Sequence, residues 1–301
     1  MAKIFITGGN GQLGRACKRF FSKNHQVVTT DIQEMDITNS DSILKAIGDF
    51  KPDYIVNCAA YTAVDRAESE TELAHRLNVI GPSKLAAAAV LFRARLIHIS
   101  TDYVFDGNRQ FPFPWTEEDT PNPQTVYGRT KLDGENAVIN TYGCDGIVLR
   151  TAWLYSPTGH NFLKTMLRLA SSSPADKIHK IVNDQFGCPT SASELAKQIL
   201  YIIESPNYLD RGVYHAVCSG CTSWYHFATR FLELMNIDTT NFKPCTTEEF
   251  PTPAKRPRNS VLAVDKLSSK NMYVMVDWET ALKNYVIEHG QTVYKDVLAS
   301  L

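Results

Sequence analysis

Tyr127 and Lys131 lie four residues apart, which stacks a phenol and an ammonium on one face of a helix. An ammonium beside a phenol favours the phenolate and lowers a pKa that ordinarily sits at about 10. Such a tyrosine can give or take a proton near neutral pH. Pairs of this kind also arise by chance, so the meaning depends on what surrounds it. Thr101 supplies a third group: its hydroxyl, at the end of an apolar stretch, could hydrogen-bond a substrate carbonyl and the phenol. A Ser-Thr pair at a strand end is otherwise an ordinary turn or cap.

A second constellation lies at the N-terminus, where Gly8-Gly9-Asn10-Gly11-Gln12-Leu13-Gly14 joins an apolar strand to an amphipathic helix. Gly8, Gly11 and Gly14 permit a tight turn and the approach of a pyrophosphate to the helix N-terminus. Asp31 stands 20 residues beyond Gly11, where a second strand ends. A carboxylate there holds the adenosine ribose hydroxyls and repels a 2′-phosphate, which favours NADH over NADPH. The plain alternative is a glycine turn with no ligand, but strand, turn, helix and acid together argue for a dinucleotide.

The elements that must position these groups alternate in type. Strands are expected over 3–7, 26–30, 54–57, 96–100 and 146–151. Between them run helices through Ala16 to Phe21 and over 40–50, 68–92 and 126–140, with Gly81-Pro82 suggesting a break in the third. Strands separated by helices predict an α/β fold, a Rossmann-type doubly wound parallel sheet. Small residues at Asn57-Cys58-Ala59-Ala60-Tyr61 would leave space over the sheet's carboxyl edge, where such sheets bind ligands. Beyond Thr151 the elements shorten: helices over 161–170, 193–204, 224–235 and 280–294, strands over 177–182 and 213–217. The helix 193–204 and the strand after it should return to the main sheet. A dinucleotide-binding domain of residues 1–152 plus about 190–217 is therefore expected. A smaller α/β substrate-binding domain would hold about 153–189 plus 218–301.

The chain has 301 residues, 44% hydrophobic and 21% charged, with a net charge of -1. No global field attracts nucleic acid or an anionic membrane, so any anion must be recognised locally. Met1-Ala2-Lys3 reaches the glycine turn too soon for a signal-peptide core, and the apolar run 85–92 is too short to span a bilayer. Seven scattered cysteines without a secretory signal read as reduced thiols in the cytoplasm. Cys218 and Cys221 form a C-x-x-C, but no second pair completes a zinc site, so no metal is expected from these residues.

Longer motifs extend the pattern: 59–65 (AAYTAVD), 100–105 (STDYVF), 150–155 (RTAWLY), 183–190 (NDQFGCPT) and 251–257 (PTPAKRP). With the glycine turn and the Tyr127/Lys131 pair, they resemble the extended short-chain dehydrogenases/reductases. Within these, the likeness is to the branch that reduces dTDP-4-dehydrorhamnose, from residue 4 to about 280. Cys58 and Cys188 stand where that branch would carry alanine.

The resemblance implies NADH or NADPH as cofactor and hydride delivery to the C4 ketone of dTDP-4-dehydro-6-deoxy-L-mannose. Tyr127 would protonate the oxygen, Lys131 would lower the tyrosine pKa and hold the nicotinamide ribose, and Thr101 would orient the carbonyl. Cofactor contacts would come from Gly8, Asn10, Gly11, Gln12, Leu13, Gly14 and Asp31. Asp36 and Ile37 would flank the adenine, and Ala59, Ala60 and Tyr61 the middle. Asp102, Val104 and Phe105 would face the sugar nucleotide.

Trp153 could stack on the thymine or the sugar, or serve as packing. Arg256 could hold the diphosphate in a bidentate contact, unless Lys255, Arg256 and Arg258 form only a solvated cluster. A homodimer and a Mg²⁺ ion are allowed by the resemblance. A 4,6-dehydratase or 4-epimerase is a rival, but a dehydratase carries Glu where Tyr103 stands here. A non-catalytic cofactor-binding protein, like the regulatory subunit of methionine adenosyltransferase, is the rival of another class.

Overall fold

The computed structural model describes residues 1–172, 177–205 and 209–301. The expected substrate-domain stretch about 153–189 thus includes 173–176, which lie outside the described residues.

Five short apolar runs form β1 (Lys3–Thr7), β2 (Gln26–Thr30), β3 (Tyr54–Asn57), β4 (Arg95–Thr101) and β5 (Gly146–Thr151). A later strand, Gly212–His215, adds to the outer edge of β5. All pairings are parallel, in the spatial order Gly212–His215, β5, β4, β3, β1, β2. Both faces of β1, β3, β4 and β5 are covered, which explains their consecutive apolar residues, whereas the edge strand β2 (QVVTT) is only partly buried. Ile4 and Ile6 pack with α1 (Gln12–Phe21) and the helix Ala192–Glu204, whereas Phe5 packs with α2 (Ser40–Phe50) and the helix Gly81–Phe92.

A buried polar ladder fixes the register of the three central strands. The Thr7 hydroxyl donates to Asn57 Oδ1 at 2.6 Å, and Asn57 Nδ2 lies 2.9 Å from His98 Nδ1. Burial, and then the Lys131 charge, push the His98 pKa well below its ordinary value, so the ring is neutral and accepts from the amide. Asn57 and His98 are level, so β4 carries Thr101 three residues, about 10 Å, further over the sheet edge. The strand order reverses between β1 and β3, and the ligand crevice of such sheets opens there.

The expected break at Gly81-Pro82 does not occur. The chain is helical from Thr71 to Phe92, with a π turn at Arg76–Ile80 immediately upstream. The wider turn accommodates the proline without interrupting the axis. Gly81 has a packing role, because a Cβ there would lie 2.6 Å from Ile37 Cδ1. The π turn also buries Asn78, whose Oδ1 accepts the Tyr61 N–H at 2.8 Å while Nδ2 donates to the Tyr61 carbonyl and to Thr130.

The second half builds a helical lobe on the helices Phe162–Ser172, Trp224–Leu234 and Trp278–Ala299, packed around Leu163, Phe227, Phe231 and Leu282. Three two-stranded ladders lace it together: Leu154–Tyr155 with Thr190–Ser191, Phe186–Gly187 with Thr222–Ser223, and His179–Val182 with Phe242–Cys245. Among the described residues, no helix is long and apolar enough to cross a membrane.

Candidate active site

A cleft of about 970 Å³ runs along the carboxyl edge of the sheet and under the second lobe. It begins at Asp31 and Ile37, passes Gly8, Gly11 and Ala59, and reaches Thr101, Tyr127 and Lys131 before ending at Trp153 and Trp224. Two glycines are required by close approach. Gly8 has φ +64°, and a Cβ on it would lie 2.7 Å from the Ala59 nitrogen; one on Gly14 would lie 2.2 Å from the Gly8 carbonyl. The turn is thus pressed between β3 and α1. Gly11 caps α1 without a side-chain hydrogen bond, and the first helical turn holds no acid, leaving its dipole open to a bound anion.

Asp31 secures the same turn. Its Oδ2 accepts the Asn10 N–H at 3.0 Å and its Oδ1 the Ile32 N–H at 2.9 Å, with the carboxylate on the cleft wall. Asp36 also lines the cleft and accepts the Thr38 N–H at 2.7 Å. Gln12 reaches across to the second lobe, where Ser156 and Asn161 donate to its Oε1, each at 3.1 Å.

Tyr127 is set by the start of the helix Val126–Asn140. Thr125 caps that helix by accepting the Gly128 N–H at 3.0 Å, and Glu68 accepts the Val126 N–H at 2.9 Å. Gly128 lets the helix press on the turn after β4, since a Cβ there would lie 2.2 Å from the Tyr103 carbonyl. This contact sets the Tyr127 phenol on the same cleft wall as the Thr101 hydroxyl. Thr101 in turn donates to Asp102 Oδ1 at 2.9 Å and accepts the Tyr103 N–H at 3.2 Å. Tyr103 meets Tyr127 edge-on at 5.5 Å.

The electrostatics differ from the sequence-based expectation. Burial pushes the Tyr127 phenol above its ordinary value; the Thr101 hydrogen bond pulls it back, and Asp102 and Tyr103 push it up further. Lys131 does not set this balance, because its ammonium donates to the Ile99 carbonyl at 2.6 Å. Burial brings the Lys131 pKa down to about 8, against upward pulls from Glu135 and Cys58. Glu135 sits behind it in a buried pair with Arg150 at 2.7 Å, and also accepts from Ser100. Asp102 is almost fully buried, and desolvation raises its carboxyl to about 6 against hydrogen bonds that lower it.

Several expected contacts fall elsewhere. Val104 and Phe105 turn away from the cleft into the core, Phe105 stacking on Trp115 at 4.6 Å. The 3₁₀ turn Asp102–Val104 that leaves Asp102 and Tyr103 on the cleft wall directs the two apolar side chains inward. Tyr61 is also buried, its hydroxyl donating to Glu70 at 2.6 Å. Gly14 packs inside α1, while Leu13, Ala59, Ala60 and Ile37 remain on the wall. Arg256 lies outside the wall, 2.6 Å from Asp65 and beside Tyr103.

Trp153 does line the cleft, with φ +48° and its ring stacked on Trp224 at 3.4 Å. Trp224 was not singled out from sequence, where it reads only as the first residue of an amphipathic helix. Arg76, on the wall near Asp36 and bonded to Thr38 at 3.3 Å, likewise carries no sequence signal. Among the described residues, no group of three or more His, Cys, Asp and Glu side chains is placed to hold a metal ion.

Comparison with known proteins agrees with this geometry. The family described as RmlD substrate binding domain matches residues 2–290. A solved dTDP-4-dehydrorhamnose reductase from Clostridium acetobutylicum is 46% identical, with a TM-score of 0.87 over 94% of this chain and 98% of that one. The enzyme of the same name from Bacillus anthracis, solved in complex with NADP, is 36% identical, with a TM-score of 0.88 over 95% and 99%. A probable dTDP-4,6-dihydroxy-2-methyloxan-3-one 4-ketoreductase from Streptomyces antibioticus is 37% identical over 98% of this chain and 95% of its own. The chain belongs to the dTDP-4-dehydrorhamnose reductase family.

Proposed function

We propose that the protein reduces the C4 ketone of dTDP-4-dehydro-6-deoxy-L-mannose to dTDP-L-rhamnose, with NADH or NADPH as the reductant. The observation that carries this reading is that Thr101, Tyr127 and Lys131 share the wall of one cleft that begins at the glycine turn. A dinucleotide fits that turn because Gly8 and Gly14 let it pack tightly on Ala59 and α1, Gly11 lines the cleft without a side chain, and the first turn of α1 offers uncapped amides. When bound, it supplies the hydride. Residues 1–152 with about 190–217 would hold it, and about 153–189 with 218–301 the sugar nucleotide.

The chain's own groups then handle the proton. Thr101 holds the ketone oxygen against the Tyr127 hydroxyl. Burial keeps that hydroxyl protonated, so it donates as alkoxide charge develops on the oxygen. The Lys131 ammonium, below its pKa of about 8, adds positive charge to the same wall and would hold the nicotinamide ribose. Trp153 and Trp224 offer an aromatic face to the thymine or the sugar. Asp31 favours NADH, and the seven free cysteines fit a reducing cytoplasm.

Tyr103 argues against a dehydratase. Burial raises its phenol to about 12, so it cannot take a proton at neutral pH. The Streptomyces antibioticus relative favours a second reading, another dTDP-linked 4-keto sugar of different configuration. The test is consumption of NADH or NADPH on adding each 4-keto sugar nucleotide, with the product identified by NMR. A rhamnose product supports the first reading, a different sugar the second, and no consumption with any of them contradicts both.

A further inference from the structure

Gln12 opens α1 at the glycine turn, yet its side-chain amide is held by the other lobe. The loop 156–161 of that lobe presses on it: a Cβ on Gly159 would lie 3.3 Å from Gln12 Cγ, and Gly159 and His160 line the cleft together with Gly11 and Gln12. Asn161 ends the loop and spends its whole carboxamide there. Its Oδ1 accepts the Lys164 N–H at 3.2 Å, which caps the helix Phe162–Ser172. Its Nδ2 donates to the Ser156 carbonyl at 2.7 Å and to Gln12 Oε1 at 3.1 Å. A backbone N–H on one side and a backbone carbonyl on the other leave the Asn161 amide a single orientation. Gln12 must then meet it oxygen first. Ser156 is the weaker second donor, because its one hydroxyl proton also serves the Thr158 carbonyl at 2.6 Å. Among the described residues nothing accepts from Gln12 Nε2, so the two amide protons stay available at the turn.

We propose that Asn161 is a positioning residue for the cofactor: from the second lobe it fixes the Gln12 amide oxygen, which leaves the NH₂ end as a donor to the pyrophosphate of the dinucleotide. Pyrophosphate oxygens only accept, so an amide presented nitrogen first attracts them and one presented oxygen first repels them. The uncapped backbone amides of α1 serve the same group, and Gln12 adds a side-chain donor whose direction is set 149 residues away. An unheld glutamine would populate both orientations, and fixing one in advance removes that cost from binding. The Tyr285 hydroxyl donates to the Ser156 carbonyl at 3.3 Å and so anchors the loop to the apolar core of its own lobe. The role in binding rests on the nucleotide reading above; the orientation of the amide does not.

NADH affinity is measured by fluorescence titration on the full chain, native and as Asn161→Asp, Asn161→Ser, Gln12→Ala and the double variant Gln12→Ala/Asn161→Asp. Aspartate and serine both cap helices, so both variants keep the Lys164 contact. Aspartate only accepts, so Gln12 must turn its nitrogen toward it and its oxygen toward the pyrophosphate; affinity should fall by about tenfold or more. Serine releases the amide without reversing it, and the loss should stay at about threefold. In the Gln12→Ala chain, Asn161→Asp should cost less than about threefold, because no amide remains to be turned. Native affinity in Asn161→Asp overturns the role. So does a tenfold loss that persists in the Gln12→Ala chain, which traces it to the added charge, and so do equal losses in the aspartate and serine variants. A native chain that binds no NADH defeats the cofactor reading itself, and this role with it.

Discussion

Replacing Lys131 with methionine isolates the cost of burying its charge. The ammonium is only 2% exposed, and burial takes its pKa from 10.5 to about 8. At about 1.4 kcal/mol per pKa unit, keeping it charged in the folded chain costs ~3 kcal/mol. The sign follows from proton counting. Between about pH 8 and 10.5 the unfolded chain holds this proton and the folded chain has released it, so stability against unfolding rises with pH. Below about 8 the penalty is fully present.

The variant lacks this dependence but leaves the Ile99 carbonyl without its donor, a pH-independent loss of about 1–3 kcal/mol. Cysteine and tyrosine ionisation is common to both proteins and cancels in the difference. Urea unfolding of both, at steps from pH 7 to 10.5, should therefore show native minus variant stability rising by up to ~3 kcal/mol. Parallel curves would refute the buried, depressed lysine.

Three further outcomes follow from the same geometry. Gly8→Ala, strained at φ +64° and 2.7 Å from backbone, should lower stability by about 1–3 kcal/mol and weaken NADH binding at least about tenfold. A thermal melt and a titration check it, and native affinity would contradict the close-packed turn. Glu135→Ala strands the buried Arg150 guanidinium and should cost about 3–5 kcal/mol in urea unfolding, while a loss below about 1 kcal/mol would mean the site relaxes around the charge. Asp31→Ala should raise the ratio of kcat/KM for NADPH over NADH about tenfold, and an unchanged ratio would remove Asp31 from cofactor choice.

The sheet was legible because its strands are short apolar runs bounded by turns, and β1, β2, β3 and β5 lie where those runs lie. The two-residue strands of the second lobe, such as Phe186–Gly187, are too short to carry any period. Gly81-Pro82 read as a break because local composition does not show that Gly81 packs on Ile37 or that a π turn precedes it. Spacing put Tyr127 and Lys131 on one helix face, but only the fold shows the ammonium bonded to Ile99. Val104 and Phe105 belong to a motif that faces the cleft at Asp102 and Tyr103 and then turns inward, so adjacency in sequence misled. The pairing of Arg256 with Asp65 spans 191 residues and leaves no local trace.

The central claim is that Tyr127 delivers the proton. The direct measurement is single-turnover reduction of the dTDP-4-keto sugar by Tyr127→Phe, alongside NADH affinity. Loss of the donor should slow the chemical step by about 10²–10⁴-fold while affinity stays within about threefold of native. A native rate in the phenylalanine variant would contradict the account.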